Sequence, residues 1–232
     1  MSAKAGVFDP EGYDRTARNT VPGYAALQEM VALAASGGVA PTSRVLDVGP
    51  GTGVGLLALA RVLPAATFVG CDPALPMITA AHQRCALAGF EVRAVHGGVE
   101  ALGEDEPPFD VIVCTLVMHF IPIEQRARWL RALRARLAPR GRFLLTALTR
   151  AEDAETNATW ASLRRDYAAR NGVSPEQLAR RQAESAAQVD PVRETDLHAQ
   201  LGEAGFGAAT PLFQILAARG WLVRHLGDSD HD

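Results

Sequence analysis

Residues 45–53 read V-L-D-V-G-P-G-T-G, and the chemistry of the chain is concentrated there. A short apolar run, residues 44–48, leads into three alternate glycines, Gly49, Gly51 and Gly53, and a helical pattern begins just beyond. Glycines allow positive φ and let a ligand approach the main chain closely. The free amides at the start of a following helix point into the same crevice. A dinucleotide turn needs a third glycine three residues after the second. Counting from Gly49 and Gly51 that place is Val54, and from Gly51 and Gly53 it is Leu56, so a diphosphate fits poorly. An acid before the glycines fits better. Asp47 lies two residues ahead of Gly49. A carboxylate there repels phosphate but holds an ammonium group, directly or through water. Asp72 follows a second apolar run, residues 67–71, and precedes Pro73. At the end of a strand in an open α/β sheet, an acid accepts the two hydroxyls of a ribose. The plainer roles are a helix cap for Asp72 and a satisfied buried acid for Asp47. A ligand joining an amino-acid ammonium to a ribose is S-adenosylmethionine. Its adenine is then expected beside Gly98, Val99 and Glu100, after a third strand candidate at residues 91–95.

Other residues could act on an acceptor. His119 follows a fourth strand candidate, residues 109–114, where a base with a pKa near ~6.5 could take a proton. The plain alternative is a histidine bonded to backbone. Tyr13 and Tyr24 could cover a sulfonium or only pack. Arg126, Arg128, Arg131, Arg134 and Arg136 line a helical segment, and a solvated face is expected for them rather than an RNA-docking one. Cys71, Cys85 and Cys114 have apolar or helical surroundings and no metal-ligand spacing, so no metal is expected. They read as reduced core thiols of a cytoplasmic protein.

The elements that must position these residues alternate. Residues 8–36 mix turns with a helical pattern, Tyr24, Leu27, Met30, Val31 and Ala34. Helices are then expected at 56–63, 75–87 and 123–137, interleaved with the four strand candidates above. The last of these helices has Trp129, Leu130, Leu133 and Leu137 inward. Pro139-Arg140-Gly141 turns the chain into a fifth strand at 142–148. Such alternation implies a parallel sheet with helices on both faces, a Rossmann-like doubly wound α/β fold. Residues 149–193 show no convincing strand and are read as a helical insertion over the sheet edge, 150–195. A helix at 197–204 and a strand pair at 208–216 and 220–224 close the pattern, and the tail 227–232 is expected to be mobile. One domain is expected over 1–232, with a cofactor-binding core at 41–148.

Composition agrees. The chain has 232 residues, 48% apolar and 21% charged, enough for a buried core. Its formal net charge of −3 offers no general attraction to nucleic acid. The longest apolar stretch, residues 111–123, holds His119 and Pro122 and is too short to span a bilayer, and no signal peptide is expected at Met1.

The order D-x-G-x-G-x-G, Val69-Gly70-Cys71-Asp72, Phe109-Asp110-Val111-Ile112-Val113 and Leu137-Ala138-Pro139-Arg140-Gly141-Arg142-Phe143 resembles class I S-adenosylmethionine-dependent methyltransferases. The resemblance implies a seven-stranded sheet whose last two strands form an antiparallel hairpin. Thr20-Val21-Pro22-Gly23-Tyr24, Arg165-Asp166-Tyr167 with Asn171-Gly172, Ala204-Gly205-Phe206 and Phe213-Gln214 further resemble the carboxy-S-adenosylmethionine synthase group and its methyltransferase relatives. That likeness implies Tyr24 against the cofactor, Asp72 on the ribose, Thr115 where the group has an asparagine after strand four, and a homodimer. Two departures stand out. The adenine-reading aspartate of many relatives falls on Gly98, leaving the Val99 backbone or another side chain. The group's carboxylate-reading arginine falls on Gln182, with Arg181 one place earlier. The expected reaction is methyl transfer to a small-molecule acceptor. The alternatives are a carboxy-S-adenosylmethionine synthase using prephenate for tRNA wobble-uridine modification, a non-catalytic cofactor-binding subunit, and, least favoured by spacing, an NAD oxidoreductase. The acceptor's place is expected among residues 8–24, the segment after Cys114 and the insertion.

Overall fold

The computed structural model describes residues 10–186 and 189–225, without the side chains of residues 181, 182 and 184–186. Phe8, the tail from 227 and the side chains of Arg181 and Gln182 therefore lie outside the described residues. Two helices, α1 (Tyr13–Thr20) and α2 (Tyr24–Ser36), precede the alternating core. The core runs β1 (Arg44–Val48), α3 (Val54–Val62), β2 (Thr67–Asp72), α4 (Leu75–Leu87), β3 (Val92–His96), β4 (Phe109–Thr115), α5 (Ile123–Arg136) and β5 (Leu137–Arg150). Then come α6 (Ala154–Arg170), α7 (Pro175–Ala186), β6 (Val192–Arg193), α8 (Glu194–Glu203), β7 (Phe206–Ile215) and β8 (Ala218–His225).

The sheet order is β3-β2-β1-β4-β5-β8-β7, parallel except for β8, which runs antiparallel to both β5 and β7. This is the expected doubly wound sheet with its terminal hairpin. One strand was missed: the two-residue β6 pairs in parallel with the end of β5, Thr149 with Val192. Two residues are too few for any alternation to be visible in the sequence. The fifth strand also begins earlier than expected, because Leu137 already pairs with Phe109. The Pro139-Arg140-Gly141 turn bulges out of this pairing, with Arg140 at φ 63°, before Arg142 resumes it opposite Val111.

Side chains alternate across the sheet, and this sorts the core. Val45, Val111, Val113 and Leu144 pack on the side of α2, α3 and α4 with Leu27, Val31, Leu56 and Leu59. Leu46, Val48, Ile112, Cys114 and Phe143 pack on the other side with Trp129, Leu130, Leu133 and Leu197. Asp47 shares the parity of Val45 and so faces α2 and α3. No described helix is long and apolar enough to cross a membrane.

Candidate functional site

The carboxyl ends of β1, β2, β3 and β4 lie side by side, which brings the separate sequence motifs to one edge of the sheet. Asp47 is 2% exposed, and burial, reinforced by Asp72, pushes its carboxyl up from 3.8 to about 7. The influence of Asp72 on Asp47 places the two carboxyls within electrostatic reach of one another. Asp72 is buried as well. Its carboxyl is shifted upward by burial, with the amides of Ala74 and Gly51 and the nearby His96 pulling the other way. The Ala74 amide donates to Oδ1 at 2.8 Å. Asp72 therefore does not cap α4, whose N-cap is Ala74 without a side-chain bond; its carboxylate instead closes a local turn onto the Ala74 amide between β2 and α4. Pro73 follows, its carbonyl accepting from His96 Nε2 at 3.1 Å.

The glycines differ in what they permit. Gly53 has φ +84° and precedes α3, and a Cβ there would stand 2.9 Å from Ala81 Cα, so α3 and α4 meet through its bare backbone. Gly51 has φ +56°, and a Cβ there would meet only Met77 Cε at 3.6 Å and the Tyr13 ring at 3.7 Å. Gly49 packs against Val117.

The N-terminal helices close over this turn. Tyr13 lies against Gly51, and its hydroxyl pKa is raised by burial first and then by Tyr24, Asp72 and Asp14. The Thr52 hydroxyl donates to Asp14, and Arg84 of α4 reaches both Thr52 and Asp14. A cleft of about 630 Å³ opens outside this latch, lined by Pro10, Glu11, Gly12, Asp14, Arg15 and Arg84 and by none of the three glycines. Tyr24 is buried, its hydroxyl pushed upward by burial and opposed by a hydrogen bond with Gln28.

Gln28 is a candidate site residue that the motif reading did not single out. It occupies the inward stripe of α2, one turn after Tyr24, among Leu27, Val31 and Ala35. A buried glutamine on an apolar stripe was the available signal. Its Oε1 and Asp47 Oδ1 are both enclosed without a hydrogen-bond partner. A point beside Gly55, at the start of α3, lies 2.9 Å from Gln28 Oε1 and 3.6 Å from Asp47 Oδ2. Buried acceptors without donors are costly. The Gln28 oxygen and the Asp47 carboxyl that meet there suit a ligand that brings donors, as an ammonium does.

At the next strand ends, Val99 is buried and Gly98 is half-buried. A Cβ on Gly98 would fall 2.9 Å from Glu100 Cδ, so the Glu100 carboxyl occupies the space that a side chain at 98 would take. Thr115 ends β4 with its hydroxyl enclosed and unpartnered. Leu116 then takes φ 57°, held by its amide donating to Thr146 Oγ1 at 2.9 Å. Left-handed backbone at a bulky residue costs ~1–3 kcal/mol and clusters at functional sites.

His119 does not fit the base expected of it. It is 3% exposed, and burial first, then Arg126, lowers its pKa to about 3. The Leu148 amide donates to Nδ1 at 3.2 Å, which occupies the one lone pair a neutral imidazole offers. The ring is a packing residue between β4 and β5.

The arginine face of α5 is also corrected. Arg128 and Arg131 are exposed as expected. Arg134 and Arg136 instead bond the carbonyls of Gly205 and of Leu102 and Gly103. Arg126 is 2% exposed, donating to Ile121 O at 3.0 Å and to Asp190 O at 2.6 Å, and pairing with Asp190 Oδ2 at 3.1 Å. It lies in the 126–129–130–133 stripe that faces inward, so its position was legible and its charge misled. Asp190 donates its amide to His119 O, so Arg126 pins the end of the insertion to the exit of β4. Arg126→Met should lower stability by about 2–3 kcal/mol, because two carbonyls and a carboxylate lose their donor. Chemical denaturation checks this, and an unchanged midpoint would reduce Arg126 to filler.

A family model described as a methyltransferase domain matches residues 45–141. The chain is 28% identical to the carboxy-S-adenosyl-L-methionine synthase of Chromohalobacter salexigens over 203 residues, covering 86% of this chain and 74% of that one. In structure it is similar to the magnesium protoporphyrin IX methyltransferase of Synechocystis PCC 6803, with a TM-score of 0.63 at 17% identity over 93% and 94% of the two chains. It is similar also to the mitomycin 7-O-methyltransferase, with a TM-score of 0.62 at 18% identity, covering 94% of this chain but 58% of that larger one. At such identities the two structures speak for the fold alone. The strand and glycine-turn core thus matches a methyltransferase domain, inside a fold similar over nine-tenths of its length to that of a methyltransferase.

Proposed function

We propose that the chain transfers the methyl group of S-adenosylmethionine to a small-molecule acceptor that enters between α1, α6 and the loop after β4. The observation that carries the cofactor's pose is the pair of orphaned oxygens, Asp47 Oδ1 and Gln28 Oε1, beside the glycine turn. In this reading Asp47 and Gln28 hold the ammonium, Gly49, Gly51 and Gly53 give the main chain access, and Asp72 with Pro73 behind it takes the ribose hydroxyls. Gly98 and Val99 shape the adenine pocket. Glu100 accepts from the adenine amino group in place of the aspartate that position 98 lacks. Tyr13 and Tyr24 cover the amino-acid arm, and Thr115 offers its unpartnered hydroxyl to the reacting end.

The bound sulfonium supplies an already activated methyl group. The protein therefore contributes alignment and exclusion of water, effects worth up to roughly 7–11 kcal/mol in favourable intramolecular cases. No general base is required, which agrees with the sealed position of His119. A cytoplasmic setting, as expected of three thiols that are all buried and unpaired, belongs to the same reading.

Calorimetric titration tests the proposal: S-adenosylmethionine and S-adenosylhomocysteine should bind and NAD should not. Gly51→Ala sharpens the test. Its Cβ meets only ordinary contacts in the protein, so the fold should persist with a melting temperature a few degrees lower, whereas cofactor affinity should drop about tenfold or more. Unaltered affinity would remove the turn from the site. The likeness to a carboxy-S-adenosylmethionine synthase supports a second reading, transfer of a carboxymethyl group. Mass spectrometry of the ligand that copurifies separates the two by the mass of the extra carboxyl group.

A further inference from the structure

We propose that Arg84 of α4 is a positioning residue for the cofactor: through Asp14 it seats Tyr13 on the glycine turn, and it thereby sets how long the cofactor stays bound. This deepens the methyl-transfer reading above and rests on it. α1 has little of its own to hold it in place. Of its eight residues only Ala17 is buried, so apolar burial contributes little and polar contacts decide where the helix lies. At its far end the Arg18 carbonyl accepts from the Tyr167 hydroxyl at 3.0 Å, and Asn19 Nδ2 donates to Asn171 O at 3.1 Å, which ties that end to α6. At its first turn the partner is the cofactor turn itself.

Asp14 uses both carboxylate oxygens there. Oδ1 accepts from the Thr52 hydroxyl, and Oδ2 accepts from Arg84 Nη2 at 2.5 Å. Arg84 Nη1 also donates to Thr52 Oγ1 at 3.4 Å, so the three side chains close a ring. Thr52 is buried between Gly51 and Gly53, so this ring grips the turn itself. Tyr13 directly precedes Asp14, and its ring lies 3.7 Å from where a Cβ of Gly51 would stand. Asp14 and Arg84 also act in opposite senses on the Tyr24 hydroxyl, which brings both covering tyrosines within reach of the ring. Asp14 stands in the first turn of α1 and Arg84 in the last turn of α4, where each helix dipole favours the charge it meets. The Asp14 and Arg84 side chains remain 23% and 34% exposed, and the cleft of about 630 Å³ opens onto both, so dissolved salt reaches the pair. An ion pair of this exposure is weak enough to open often, yet it biases where Tyr13 rests.

The probe is S-adenosylhomocysteine, which carries no net charge near neutral pH, and the readout is its dissociation rate in rapid mixing. Arg84→Met should speed dissociation roughly threefold to fivefold, the size of one partly screened ion pair, and Arg84→Lys should recover part of that. Raising the salt from about 0.05 to about 0.5 M should speed dissociation from the wild type and leave Arg84→Met unchanged. Asp14→Asn should resemble Arg84→Met, and combining the two should add nothing further, because both act through one contact. A merely structural arginine would lower the melting temperature of the free protein and leave the dissociation rate alone. That outcome overturns the proposal, as do additive effects of the two substitutions. Should Arg84→Met not fold, a salt-independent dissociation rate in the wild type overturns it by itself. Failure of S-adenosylhomocysteine to bind the wild type would instead strike the methyl-transfer reading.

Discussion

Asp72→Ala should weaken S-adenosylmethionine binding roughly a hundredfold while leaving the protein folded. The carboxyl is buried at the end of β2, beside the turn that carries the ligand. Two hydrogen bonds from ribose hydroxyls to a charged acceptor contribute ~1.5–3 kcal/mol each in favourable cases, and water recovers part of that when the acid is removed. Asp72 also accepts from the Ala74 amide at 2.8 Å, so alanine loosens the turn that leads into α4 as well. Asp72→Asn separates these contributions. Its amide oxygen can still accept from Ala74, so the turn should stay in place, but its NH₂ cannot accept from a second hydroxyl. Calorimetry should rank wild type above asparagine above alanine. Equal affinities for all three would leave Asp72 only its bond to the Ala74 amide.

Cofactor affinity should also depend on pH through Asp47, and Asp47→Asn should abolish that dependence. Burial and the neighbouring Asp72 raise the Asp47 carboxyl to about 7 in the free protein. An ammonium placed beside it favours the ionised form, so binding expels a proton wherever the free carboxyl is still protonated. Affinity should then fall by close to tenfold per pH unit below neutrality, and level off above it until the ligand's own amino group, with a pKa of about 8, begins to lose its proton. Titrations in buffers of different ionisation enthalpy should register the released proton. 5′-Methylthioadenosine, which lacks the ammonium, should bind without this pH dependence. A pH-independent wild type would place the ammonium elsewhere.

The same group shapes the stability of the free protein, with a definite sign. The folded-state value of Asp47 lies above the ordinary 3.8, so its contribution is fully present below pH 3.8 and is lost as pH rises through about 7. His119 has the opposite sign. Its folded-state value of about 3 lies below the ordinary 6.5, so its contribution is present above 6.5 and is lost as pH falls toward 3. The two oppose each other in the acid range. Asp47→Asn should therefore be more stable than the wild type above pH 7 and lose that advantage in acid, as thermal melts across pH would register.

Local patterning determined most of the scaffold. Alternating apolar runs and helical stripes placed β1, α3, β2, α4, β4 and α5 within a few residues, because each buries one face and the period of that face is written in neighbouring residues. The glycine spacing with Asp47 and Asp72 likewise named the turn and the kind of ligand it suits. What the sequence left open depends on residues far apart in the chain. The β6 pairing of Val192 with Thr149, the burial of Arg126 against Asp190 and the bond from Leu148 to His119 all come from segments that only folding brings together. Residue type pointed the wrong way in two of these cases. An arginine reads as solvent-facing and a histidine after β4 as a base, yet a single long-range partner reverses each assignment, since burial penalises the charged form and a hydrogen bond consumes the lone pair. The missing donors at Asp47 and Gln28 are of the same kind. Whether a polar atom has a partner is decided by everything packed around it, and no one-dimensional pattern carries that.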